Sequence, residues 1–155
     1  MIDTSLIGWK SGPTTVEVEK GRLRFFAKAI GETNPIYIDE SVAQAAGYRS
    51  LPIPPTFLFC MEVENASAYR FLDVAGINIG RILHGEQSFR YHHTVCAGDH
   101  ITFETTISDI YSRKGGALEF FVQDITATNQ DGVLVGELRN VVVVRDPAHA
   151  EEASR

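Results

Sequence analysis

Glu32, Asn34 and Tyr37 lie close together in one polar stretch, G-E-T-N-P-I-Y-I-D. A carboxylate there can take a proton, an amide can orient a ligand, and a phenol can donate a hydrogen bond. Further on, L-P-I-P-P-T-F-L-F leads a proline-rich turn into an apolar segment. Pro54 and Pro55 have no N–H, but Thr56 and Phe57 each carry one at what reads as a helix start. Such N–H groups favour negative charge, so the carbonyl oxygen of a thioester could be polarised there. On residue type alone, Glu32 equally reads as a solvated loop carboxylate, Tyr37 as a packing residue and Thr56 as a capping residue. With a reference pKa of about 10, Tyr37 is a poor base at neutral pH.

His84 and Glu86 are two apart in a predicted strand, which puts them on one side as a second candidate acid/base pair. Bonding to loop backbone is the alternative role for both. His92 and His93 are adjacent and expected on opposite faces; His100 follows a turn and is expected to be exposed. The five histidines lack the spacing of a zinc motif, so no metal is expected. There is no nucleophile elbow, phosphate loop or dinucleotide fingerprint, and no cofactor is expected.

The elements that must hold these residues follow from periodicity. Thr14 to Glu19 alternates and reads as a short strand. Lys20 to Ile30 has helical spacing, with Leu23, Phe26, Ala27 and Ile30 on one face and Gly31 as terminator. Asp39 or Ser41 can cap a short helix that ends before Gly47. Thr56 to Leu72 is apolar on nearly every side and predicts one long buried helix, with Pro55 at its first turn. Arg81–Tyr91, Asp99–Ile110, Ala117–Thr128 and Gly132–Val144 are four strand segments rich in Val, Ile, Thr, Phe and Tyr. This order predicts an α+β class: a single hot-dog domain, an antiparallel curved sheet wrapped around a long central helix. The domain is expected over residues 1–146, with 147–155 a frayed tail. An open sheet edge calls for pairing, so a dimer is expected.

The totals exclude several classes. A net charge of −6 argues against a nucleic-acid partner. The two cysteines, Cys60 and Cys96, lie in apolar surroundings without C-x-x-C spacing, which favours reduced thiols and a cytoplasmic protein. The N-terminus lacks a signal-peptide pattern, and no segment has the length of a membrane span.

Three motifs in order, G-E-T-N-P-I-Y-I-D, A-x-x-A-G-Y and I-P-P-T-F-L, resemble the signature of the MaoC-like (R)-specific enoyl-CoA hydratases and 3-hydroxyacyl-thioester dehydratases. Downstream, L-H-G-E-Q-S-F-R-Y-H-H-T-V-C-A-G-D resembles the strand and A-G-D turn of the same family, above all the substrate-binding half or subunit. The resemblance implies an acyl-CoA or acyl-ACP ligand and a role in fatty-acyl metabolism. It places the catalytic positions at Glu32 and Tyr37, where the family has Asp and His. Asn34 is retained; Pro55 and Thr56 stand where the family has His-Gly. Asn34, Pro55, Thr56, Phe57, His84 and Glu86 are thereby the expected substrate-binding residues. Three functions are open. One is an active hydro-lyase with Glu32 as altered base. Another is a non-catalytic acyl-thioester-binding subunit with a catalytic hot-dog partner, and the third is a hot-dog thioesterase. The dimer is with itself or with that second chain.

Overall fold

Four strands follow one another from residue 82 onward and form most of the sheet. The computed structural model describes residues 3–64 and 68–145. Strand Thr14–Glu17 (β1) is followed by helices Lys20–Ala29 (α1), Glu40–Ala45 (α2), Phe57–Val63 (α3) and Arg70–Ala75 (α4). Strands Ile82–Tyr91 (β2), His100–Arg113 (β3), Leu118–Thr128 (β4) and Leu134–Arg145 (β5) complete the chain. All strand pairs are antiparallel, in the order β1-β3-β4-β5-β2. The architecture is the α+β hot-dog domain expected, and β1 and β2 are its edges. The tail expected to fray falls within 146–155, outside the described residues.

The helical layer departs from expectation. Two short helices, α3 and α4, stand where one long helix over 56–72 is predicted. α3 ends at Glu64, whose N–H returns to the Cys60 carbonyl at 3.2 Å. Gly76, at φ 65°, then ends α4 in the left-handed conformation that costs glycine little. Ile30 also departs: it is the C-cap residue of α1 and is 51% exposed rather than packed.

The sheet's inner face is read from the β4–β5 register. Phe121 opposes Val142, Gln123 opposes Asn140, and Ile125 opposes Leu138. α3 lies over this face, burying Phe57, Leu58 and Met61. Each such side chain contributes about 2 kcal/mol of burial. Two apolar clusters result. One gathers α1, α2 and α3 around Phe103, Ile125 and Leu138. The other gathers α4 around Ile107, Phe121 and Val142, with Leu6 and Trp9 of the N-terminal lead-in packed on it. Ile7, between them in the chain, is 46% exposed.

Register shifts bend the sheet, one of them between Ala127 and Thr128 of β4. In β3 the register shifts between Ile107 and Asp109, and in β2 it shifts between His84 and Glu86. The extra residue in β2 is Gly85; a Cβ there would meet the Val143 Cγ2 at 2.7 Å and the Val141 carbonyl oxygen at 3.0 Å. Only a residue without a side chain lets β2 approach β5 so closely.

Candidate functional site

The loop after α1 is held by its own bonds. The Glu32 N–H donates to the Ala27 carbonyl at 2.9 Å, closing the helix end. Glu32 Oε1 accepts the Asn34 N–H at 2.8 Å. Asn34 Oδ1 in turn accepts the Ile36 N–H at 3.2 Å, capping a single 3-10 turn, Pro35–Tyr37. Asp39 then caps α2 through the N–H groups of Ser41 and Val42. Arg24 of α1 donates from Nε to the Ile38 carbonyl at 2.9 Å and ties the loop back to the helix. Asn34 and Asp39 are of the types that such turns and caps favour.

Tyr37 and Pro55 meet in one cleft of about 350 Å³, together with Tyr48, Tyr91, His92 and His93. Burial raises the Tyr37 hydroxyl above its ordinary pKa, and the charge of Glu32 and then Tyr48 add to the rise. Tyr91, raised by burial, donates its hydroxyl to the Pro55 carbonyl and pins the proline turn to the end of β2. His92 Nε2 is 2.8 Å from Glu137 Oε2. Both histidine N–H groups donate to the Val135 carbonyl, so the alternation of β2 has ended before them. Both therefore line the cleft, whereas opposite faces are expected from adjacency alone.

The helix start differs from its expected form. Phe57 N–H is already donated to the Pro54 carbonyl at 2.9 Å. Thr56 is the N-cap, makes no side-chain cap bond and is exposed. α3 has only seven residues, so its end carries less dipole than a long helix would.

His84 and Glu86 separate. His84 pairs with Val142 and Glu86 with Val141, neighbours whose side chains take opposite faces. The bulge at Gly85 thus breaks the two-residue rule that would put the pair on one side. His84 faces inward, 5.0 Å from the Phe59 ring between centroids, and lies in a second chamber beside Glu62, Gln123 and Asn140. Its Nε2 is 3.2 Å from the Glu86 carbonyl.

Arg49 is paired with the buried Asp99, and Arg81 Nε donates to the Arg145 carbonyl at 2.9 Å. Asp99 also accepts the Cys96 N–H at 2.9 Å, which explains the A-G-D turn as a structural device. Both cysteines are free; Cys96 is buried and Cys60 half-buried. Among the described residues no helix is long and apolar enough to cross a membrane.

Sequence reasoning missed Tyr48, Tyr91 and, most of all, Glu62. Glu62 is 4% exposed, and burial raises its carboxyl pKa to about 7. Its signal was available: a single acid within the apolar run F-L-F-C-M-E-V.

Comparison with known proteins agrees with this geometry. The family model of the FAS1-like, dehydratase domain region matches residues 5–138. A UPF0336 protein of Thermobifida fusca is 35% identical over 136 residues, covering 88% of each chain. In structure, the chain is similar to the HadBC (3R-hydroxyacyl-ACP dehydratase) complex of Mycobacterium tuberculosis, at TM-score 0.76 and 27% identity, covering 89% of this chain and 96% of that one. A MaoC-like dehydratase shares the fold at TM-score 0.81 and 21% identity; 93% of this chain matches 43% of that one. The chain is a hot-dog protein of the hydratase/dehydratase type and belongs to the FAS1-like dehydratase-region family.

Proposed function

We propose that this chain is the acyl-thioester-holding partner of a two-chain hot-dog dehydratase, with the acid/base pair supplied by its companion. The observation that carries this reading is the state of Glu32 and Tyr37. Glu32 Oε1 is engaged by the Asn34 N–H, and Tyr37 keeps its proton because burial and the neighbouring carboxylate oppose its ionisation. Dehydration of a 3-hydroxyacyl thioester needs a base at the C2 proton and an acid at the departing hydroxyl. Neither side chain is poised for the first task. The Thr56 N–H, the Tyr37 hydroxyl and the walls of the adjoining cleft suit a different one: holding the thioester end while the companion's groups act. The likeness to one chain of a named two-chain dehydratase supports the same assignment. So does the ten-residue edge strand β2, which can pair with a second hot-dog sheet. The ligand is an acyl-CoA or acyl-ACP, no resident cofactor is required, and two free thiols fit a reducing cytoplasm.

The test is hydration of crotonyl-coenzyme A, and of a longer enoyl thioester, by the purified chain alone and with a hot-dog companion carrying an intact G-D-x-N-P-x-H loop. The expected result is turnover only with the companion, and its persistence in Glu32→Ala. Turnover by the chain alone, abolished by Glu32→Ala, would instead establish a hydratase in its own right. Free thiol released from acyl-coenzyme A would establish a thioesterase.

A further inference from the structure

Across the middle of the inner face runs a row of three amides. Gln123 of β4 opposes Asn140 of β5, which opposes Gln87 of β2. Gln123 is 3% and Asn140 8% exposed. Asn140 Nδ2 donates to Gln123 Oε1 at 3.2 Å. Asn140 Oδ1 and Gln87 Oε1 are buried with no partner at all. From the helix side, Glu62, a buried residue, faces the same space.

Gln123, Asn140 and Glu62 line a chamber of about 70 Å³ with Phe59, Phe71 and His84, and Gln87 lies beside it. That is room for about two water molecules, or for a hydroxyl with the carbon that bears it. A sheet face at this depth is ordinarily apolar, and buried polar atoms are ordinarily paired. Here an acceptor and a carboxyl converge on one small space.

We infer that this chamber is a subsite for a hydroxyl group carried far along the acyl chain, held between Asn140 and Glu62. A hydroxyl fits because it does both things the chamber asks. It donates to Asn140 Oδ1, and it accepts from a protonated Glu62 carboxyl. A plain methylene chain would leave both groups desolvated and unpaired, so the chamber discriminates against it. The position follows from β2: Gln87 is four residues from Tyr91 of the thioester cleft, about 14 Å at strand spacing. The hydroxyl recognised is therefore near the end of a medium-length chain, not the one beside the thioester. This assignment rests on the acyl-holding reading above.

The test is calorimetric titration of the full chain with ω-hydroxydodecanoyl-, 3-hydroxydodecanoyl- and dodecanoyl-coenzyme A. The ω-hydroxy ligand is expected to bind about tenfold tighter than the other two, as one well-made hydrogen bond allows. In Asn140→Val that preference should vanish; Glu62→Met serves if thermal unfolding shows the first variant misfolded. Equal or tighter binding of the plain chain, or a preference that survives both substitutions, overturns the subsite. If no thioester binds, the acyl-holding reading fails by itself. The chamber is then judged by titrating hexanol against the side-chain amide NMR signals of Asn140 and Gln123. A saturable shift absent with hexane upholds it, and unmoved signals overturn it.

Discussion

A carboxyl group removed from water with no cation beside it stays protonated well into the neutral range, and Glu62 is in that position. Burial raises its pKa from the ordinary 4.5 to about 7. The folded state therefore binds more protons than the unfolded state between those values. The stability this group contributes is complete below the unfolded pKa and is lost as pH rises towards the folded one. Glu62→Gln is expected to remove a fall in unfolding free energy of at most about 3 kcal/mol between pH 4.5 and pH 7, measured by denaturant titration across that range. An unchanged slope would mean that the carboxyl is solvated. At the same scale, Glu32 and Tyr37 were legible as positions but not as states. Their sequence places them in one loop. Only the structure shows that one carboxylate oxygen accepts the Asn34 N–H and that burial keeps the phenol protonated. Expected for Glu32→Gln is a loop that keeps its turn and a companion-dependent turnover changed by less than about threefold, since no proton passes through this side chain.

Among the elements, what could be read in the sequence was whatever is decided locally. Asp39 before a short helix, Gly31 after a longer one, and Val- and Ile-rich runs between turn residues all specify their structure within a few positions. What could not be read depends on partners far along the chain. The bulge at Gly85 is one case, because an alternating run containing glycine looks the same with or without an extra residue. The amide row is another, because Gln87, Gln123 and Asn140 become neighbours only through the register of three strands. The break between α3 and α4 lay hidden beneath an apolar pattern that continues across it. Gly85 offers a direct check. Gly85→Ala is expected to cost about 1–3 kcal/mol, because its Cβ would strike the Val141 carbonyl as well as Val143. Gly136→Ala should cost less, since its near contact, at 2.9 Å, is the end of the Leu58 side chain. Chemical denaturation of both variants decides the order.

At the scale of the whole molecule, β2 leaves a long edge without a neighbour, and Ile79 and Leu83 beside it are 59% and 50% exposed. Sedimentation is expected to show a dimer, with itself or with the companion chain, which Leu83→Asp shifts towards monomer. A monomeric wild type in the presence of the companion would contradict the two-chain reading. The amide row has a consequence of another kind. It divides the interior into two apolar territories that share little contact of the sort that welds a fold into one cooperative block. The smaller territory, under α4 and the N-terminal lead-in, can open while α3 and the larger one stay shut. In native-state hydrogen exchange at low denaturant, the amides of α4 should lose protection together and ahead of those of α3. Simultaneous exchange would show that the two halves unfold as one. If they do separate, the segment that opens first is the one roofing the chamber, and breathing of the fold becomes the route by which a long chain threads its way in.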